Sequence, residues 1–350
     1  CEAAGGLIFQ AACASSSTRH TPAALRSGRT GVSFSKKAES VSPVTEKNSS
    51  ERQSRSNAAT RRDLIGYAFL TPWLIGFFCF SLGPVLVSLY LSFTKFDLLS
   101  PAVWVGTDNY ARMFLDDPRF YQSLKVTFTY MTFEVPLKLA FALAVAMVLD
   151  KAIRGGAFYR ALFYIPSLLG GSVAIAVLWR QLFEGNGTVN QILLWAFGYK
   201  GESWISNPET AIYTLVLLAV WQFGSPMIIF LAGLRQVPQD LYEAASMDGA
   251  GAFRKFYKIT LPMLAPVIFF NMVLQIIEGF KAFTPAYVVS GGTGGPIDST
   301  LFYTLYLYQE AFSYFRMGYA SALAWILLII IGCFTGISFL TSKYWVYYED

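Results

Sequence analysis

The chain has 350 residues, of which 54% are hydrophobic, 17% aromatic and only 14% charged, a balance far from that of an ordinary soluble domain. Its net charge of +5 is not laid out as basic patches interleaved with stacking aromatics, so no nucleic-acid partner is expected. Cys1, Cys13, Cys79 and Cys333 share no disulfide-framework or metal-ligand spacing, and the lone His20 has no carboxylate or cysteine patterned around it, so no metal site is expected either.

Residues 1–62 hold 12 Ser, ten Lys or Arg and four Glu with few large apolar residues. Their composition mimics an organellar transit peptide and contains no apolar secretory core. The chain also opens on Cys1 without a methionine. A disordered or spurious extension is expected there rather than a targeting segment, with the folded part over 63–350.

Beyond Leu64 the chain is dominated by apolar runs. A bilayer core of about 30 Å takes about 20 apolar helical residues, because lipid offers backbone amides no partner. Runs free of charge occur at Leu64–Thr94, Ala161–Trp179, Thr210–Leu234, Ile259–Ile277 and Met317–Ser342. A further run, Val126–Leu149, is broken only by Glu134 and Lys138, which lie at i, i+4 and can neutralise one another on one helix face. The reading is an all-α integral membrane protein with six transmembrane helices, at about 64–94, 123–149, 159–181, 210–234, 260–281 and 317–342.

Cationic flanks stay cytoplasmic. Arg61 and Arg62 precede the first span, Lys151, Arg154 and Arg160 follow the second, and Arg235, Arg254, Lys255 and Lys258 follow the fourth. Both termini are therefore expected on the cytoplasmic side. The opposite loops are sparser, although Lys95, Arg112 and Arg119 occupy the first of them. Gly187–Tyr199 and Leu301–Phe315 are apolar and aromatic yet unsuited to crossing, and read as helices lying at the outer surface. The Gly-rich turn Ser290–Pro296 reads as a chain reversal in preference to a docking loop.

The most informative segment is the loop 237–262 between the fourth and fifth spans. Pro238 can start a helix, and Leu241, Ala244, Ala245 and Asp248 at i, i+3, i+4 and i+7 give it a face of small residues that another protein could approach closely. Gly249 and Gly251 end it. Phe253, Arg254, Lys255, Phe256, Tyr257 and Lys258 follow, before Leu261–Pro262 turns the chain into the next span.

Glu243-Ala244-Ala245, three residues, Gly249, nine residues, Ile259, one residue and Leu261-Pro262 together resemble the EAA signature of ABC-importer permeases, the membrane subunits of binding-protein-dependent uptake systems. The resemblance covers about Leu64 to Tyr344. Phe315–Ala324, the preceding Gly-rich loop and Asp240–Gly251 are similar to carbohydrate-uptake permeases of the maltose and glycerol-phosphate type. It implies the type I importer fold in a bacterial inner membrane. The loop becomes a short helix docking into a cleft of a cytosolic ATPase dimer, with Glu243, Ala244, Ala245, Asp248 and Gly249 as its surface and Ile259, Leu261 and Pro262 leading into the span. It also implies a second permease subunit as a heterodimeric partner and an extracytoplasmic solute-binding protein that hands over a sugar or sugar-like solute. No cofactor is expected, since ATP is bound by the partner, and the absence of a phosphate-binding Gly-x4-Gly-Lys-Ser/Thr run agrees with a transport subunit that is no enzyme.

A translocation pathway needs polar groups near the bilayer midplane. Asn271, Gln275 and Glu278 lie at i, i+4 and i+7 on the fifth span, with Asn271 about 18 Å along the helix from Ile259. Trp221 and Gln222 sit beside Gly224, Ser225 and Pro226, which can bend the fourth span and free a carbonyl. Amides deep and charge shallow suit a neutral polyol. For each of these residues taken singly, a helix-packing role is at least as good an account. Polyamine or phosphate-ester import, or an ion-coupled carrier built on Glu134 and Lys138, are the alternatives.

Overall fold

The computed structural model describes residues 67, 69–151, 155–198 and 201–346, so the expectation for residues 1–62 falls outside the described residues. Contacts divide the chain into Cys1–Thr71 and Pro72–Asp350, and the helices below are those of the second unit and the span that runs into it.

The described chain is almost wholly helical. In order come α1 (Phe69–Ser92), a two-residue hairpin of β1 (Thr94–Lys95) with antiparallel β2 (Val103–Trp104), α2 (Asp108–Leu115) and α3 (Pro118–Asp150). Next are α4 (Gly156–Leu169), α5 (Val173–Phe183), α6 (Thr188–Phe197), α7 (Ala211–Trp221) and α8 (Gly224–Leu234). The last part holds α9 (Gln239–Met247), α10 (Ala252–Lys255), α11 (Ala265–Phe280), α12 (Thr284–Ser290), α13 (Tyr303–Tyr308) and α14 (Met317–Ser342).

Four helical runs, namely α1, α3, Ala265–Ser290 and α14, are each long and apolar enough to cross a bilayer, and two bent pairs raise the number to six. One pair, Gly156–Leu169 with Val173–Phe197, turns by 91°, where a straight span over 159–181 was expected. The cause is Gly170-Gly171-Ser172: two residues of poor helix propensity, then a serine whose side chain accepts the Ile175 N–H at 3.4 Å and caps the new helix. The other pair, α7 with α8, bends by 45° where Gly224, Ser225 and Pro226 foretold a bend.

The central element is α3, which packs on α7, α8, α11 and α13. Pro118 opens it at a position that needs no N–H, and Asp117 caps it by accepting the N–H groups of Arg119 and Phe120. The same buried carboxylate accepts the hydroxyls of Tyr306 and Tyr319, which joins the start of α3 to α13 and α14. Burial, followed by the bond to Asp117, pushes the Tyr306 phenol above its ordinary range.

Between helices in lipid there is no hydrophobic drive, because acyl chains are as apolar as leucine; close packing decides. Ala142 and Ala146 are fully buried where α3 meets α8, beside Met227 and Phe230. A second cluster gathers Phe120, Tyr130, Leu215, Phe302, Tyr303 and Leu323. The segment 301–306 is thus packed into the core: Leu301, Phe302, Tyr303, Leu305 and Tyr306 are buried, and Tyr303 donates from its hydroxyl to the Leu323 carbonyl at 2.8 Å. Leu301–Phe315 is helical over Tyr303–Ser313 and packs into the core at 301–306 and again at Gln309, Glu310 and Ala311.

The span α1 has no buried residue in its apolar window and lies along α14. Just after α1, the chain meets α14 closely: Gly318 donates its N–H to the Phe96 carbonyl at 3.1 Å, and a Cβ on Gly318 would stand 2.1 Å from the carbonyl oxygen of Thr94 in β1.

Candidate functional site

Two features carry the chemistry, a protruding segment and a cleft. In the segment, α9 begins after Pro238 and ends at Asp248. Gly249 then takes φ +73, a left-handed conformation open to glycine at no steric cost, and the Ala250 N–H closes the helix end on the Ala245 carbonyl at 2.9 Å. Glu243, Ala244, Asp248 and Gly249 are exposed and Ala245 half-buried. Tyr242 shares a hydrogen bond of 2.9 Å with Thr260, and Lys255 donates to Ser246 at 2.6 Å, so α9 is pinned to the chain leading into α11. That chain is helical almost throughout: α10, a wider π-helical turn over Phe256–Thr260 that contains Ile259, then Leu261–Met263 with Pro262, then α11.

Two large apolar side chains flank the glycine turn with nothing over them, Met247 at 89% and Phe253 at 81% exposure. Left in water such residues cost free energy, so a surface that covered them would gain by it. The sequence showed Phe253 as part of a basic aromatic stretch. Met247 could have been found as the apolar residue beside the helix-ending glycine.

The cleft, of about 410 Å³, lies among α3, α7, α8 and α11. Of the residues expected on the pathway, Gln222, Gln275 and Glu278 line it, together with Ser225 and Pro226. Gln222 donates to the Gly170 carbonyl at 3.2 Å, and the carbonyl freed by the bend at Gln222 accepts from Ser167 at 2.9 Å. Ser167 in turn accepts the Ser225 N–H at 3.0 Å, so one hydroxyl answers both backbone groups left open by the bend. Trp221 is elsewhere: its ring lies 6.1 Å from that of Trp179, as helix packing demands. Asn271, one turn below Gln275, is fully buried and not on the cleft wall.

The cleft also has residues that were not singled out for it. Glu134 and Lys138 form the expected ion pair at 3.1 Å, and both line the cleft beside Tyr130. Lys281 pairs with Glu278 at 3.1 Å on the same wall. An ionisable residue inside a span is a pathway signal in itself. The sequence placed this pair in a span and weighed it for an ion-coupled carrier, but did not place it beside Gln275 and Glu278. The four charges sum to zero, so the wall is polar without net charge.

A family model described as the binding-protein-dependent transport system inner membrane component matches residues 122–342, which take in both features. The chain belongs to this family. As a member of it, the protein is a membrane component of a transport system and no enzyme. Its relatives include the probable ABC transporter permease protein YesP of Bacillus subtilis, 52% identical over 303 residues that cover 87% of this chain and 98% of that one. The arabinooligosaccharides transport system permease protein AraP of the same organism is 35% identical, covering 76% of this chain and 84% of its own length. Among solved structures, a bacterial alginate ABC transporter crystallised with an alginate pentasaccharide-bound periplasmic protein shares the fold, with a TM-score of 0.68 at 21% identity over 80% of this chain and 94% of that one.

Proposed function

We propose that this inner-membrane component is one of two permease subunits in an ATP-driven importer of sugars or oligosaccharides. Its segment 237–262 is the docking element for a cytosolic ATPase dimer, and both termini lie on that side. An extracytoplasmic binding protein delivers the solute to the cleft walled by Gln222, Gln275 and Glu278. The observation that carries the coupling assignment is the exposed pair Met247 and Phe253 on either side of the left-handed Gly249, on a helix braced to α11 through Tyr242 and Lys255. A partner that grips this surface moves α11, and α11 forms part of the cleft wall. The sugar class is supported by the carbohydrate named for AraP and by the polysaccharide handled by the alginate transporter. A cleft wall without net charge fits an uncharged polyhydroxylated solute better than a polyamine or a phosphate ester.

The test is a cysteine at Ala245, crosslinked to a co-expressed candidate ATPase, with uptake of radiolabelled neutral sugars measured with and without that ATPase. Crosslinking together with ATPase-dependent uptake is the expected result. Uptake driven by an ion gradient with no crosslink would overturn the reading in favour of a secondary carrier.

A further inference from the structure

Most buried polar atoms in a folded chain have a partner, and inside a membrane the cost of lacking one is larger still. Two oxygens on the cleft wall break that rule among the described residues. Glu134 bonds to Lys138 through Oε1 at 3.1 Å, whereas its Oε2 has no partner; Gln275 Oε1 has none either. Both side chains are more than nine-tenths buried, with residue exposures of 2% and 7%. Both belong to the cleft lining.

They lie along one seam. Gln275 and Gly279 are one turn apart on the same face of α11, and Gly279 is where α11 comes against Met131 and Glu134 of α3. A Cβ on Gly279 would meet Glu134 Oε2 at 3.5 Å. The missing side chain therefore leaves the carboxylate oxygen facing α11, on the side where Gln275 stands.

Two open acceptors ask for donors. An ammonium could donate, but Lys138 already balances Glu134 and Lys281 balances Glu278, so no net negative charge remains to stabilise a cation. Hydroxyl groups meet the requirement without adding charge. We infer that Glu134 Oε2 and Gln275 Oε1 form a hydroxyl-accepting subsite on the α3–α11 seam, which takes an uncharged, hydroxyl-bearing ring of the transported solute. The inference rests on the sugar-importer reading and adds to it a position and a chemistry of recognition. It also links recognition to drive: α11 continues the helical run from the docking segment, so a shift of α11 along α3 changes how far the two oxygens are available.

The experiment uses the assembled importer with its partner subunits in proteoliposomes, and the probes are arabinotriose, lactose and the per-O-methylated form of each. Gln275→Leu keeps the side-chain volume and removes the acceptor. E134L/K138L removes the pair together, so no charge is stranded. Loss of one hydrogen bond, about 0.5–1.5 kcal/mol, corresponds to a rise of roughly two- to tenfold in KM for a free sugar. Gln275→Leu is expected to give that rise with little change in maximal rate, and to narrow the preference for the free sugar over its methylated form. A purely structural Gln275 predicts unchanged KM and a protein as stable as wild type or more so, since an unpartnered amide has been removed from the membrane interior. Unaltered KM and unaltered methyl discrimination in both variants, with normal wild-type uptake, overturns the subsite alone. Wild-type uptake of either free sugar that runs on an ion gradient without the ATPase overturns the importer reading and the subsite with it.

Discussion

At the scale of single residues, contacts in this protein are governed less by what side chains add than by where they are missing. Gly318 is the sharpest case, because any Cβ there collides with the Thr94 carbonyl, which is backbone and cannot rotate away. Gly318→Ala is therefore expected to destabilise the protein by about 1–3 kcal/mol, the usual cost of overpacking. Gly332, on the same helix, has nothing within 4 Å of its Cβ position, and Gly332→Ala should be neutral or mildly stabilising through helix propensity. Thermal unfolding of both variants in detergent checks the contrast; equal melting points would show that the contact between α14 and the Thr94–Phe96 backbone is looser than described. Neither glycine could be told from the other in the sequence, since both lie in one apolar run. Gly249 was legible, because a glycine directly after an amphipathic stretch and before a new helix has few other uses.

At the scale of elements, hydropathy located the spans and misjudged their straightness. A run such as Ala161–Trp179 satisfies every composition test for a crossing, yet its Gly170-Gly171-Ser172 centre has poor propensity and a ready cap, so it turns through 91°. The bend between α7 and α8 was legible because proline and glycine cluster there. What holds it was not, since Ser167 lies 55 residues away from Gln222. Ser167→Ala removes the donor to the Gln222 carbonyl and the acceptor for the Ser225 N–H together. It is expected to cost about 1–3 kcal/mol, as buried backbone groups lose their partner, and to alter labelling of a cysteine at Ser225 by a membrane-permeant thiol reagent. Unchanged stability and labelling would mean that other groups brace the bend. The segment 301–306 taught the opposite lesson. Its aromatic content was visible, but burial depended on α3 and α14, which approach it from about 175 and 20 residues away in the chain.

At the scale of the whole molecule, a nearly continuous helical path joins segment 237–262 to the cleft, and under the proposed coupling role perturbing the first should disable the second without unmaking the fold. Gly249 lies outside the spans and has open space around it, so Gly249→Pro alters the turn alone, and Glu243→Lys reverses an exposed charge. Each is expected to lower sugar uptake severalfold while membrane insertion and melting temperature stay near wild type. Full uptake at normal expression in both variants would count against the coupling assignment. The helix and glycine turn of segment 237–262 were readable because their spacing is local. The cleft was half-readable: Gln222, Gln275 and Glu278 declared themselves as polar groups in apolar runs, whereas their convergence with Glu134 and Lys138 depends on how α3 leans against α11.

The seating of α1 has a consequence for how the protein is made. Among the described helices α1 is made first, whereas the surface it rests on, α14, is made after all the others. Until α14 follows, α1 lacks the helix it lies against in the finished protein. A product truncated before Met317 therefore leaves the Phe96 carbonyl without the N–H that holds it in the finished protein.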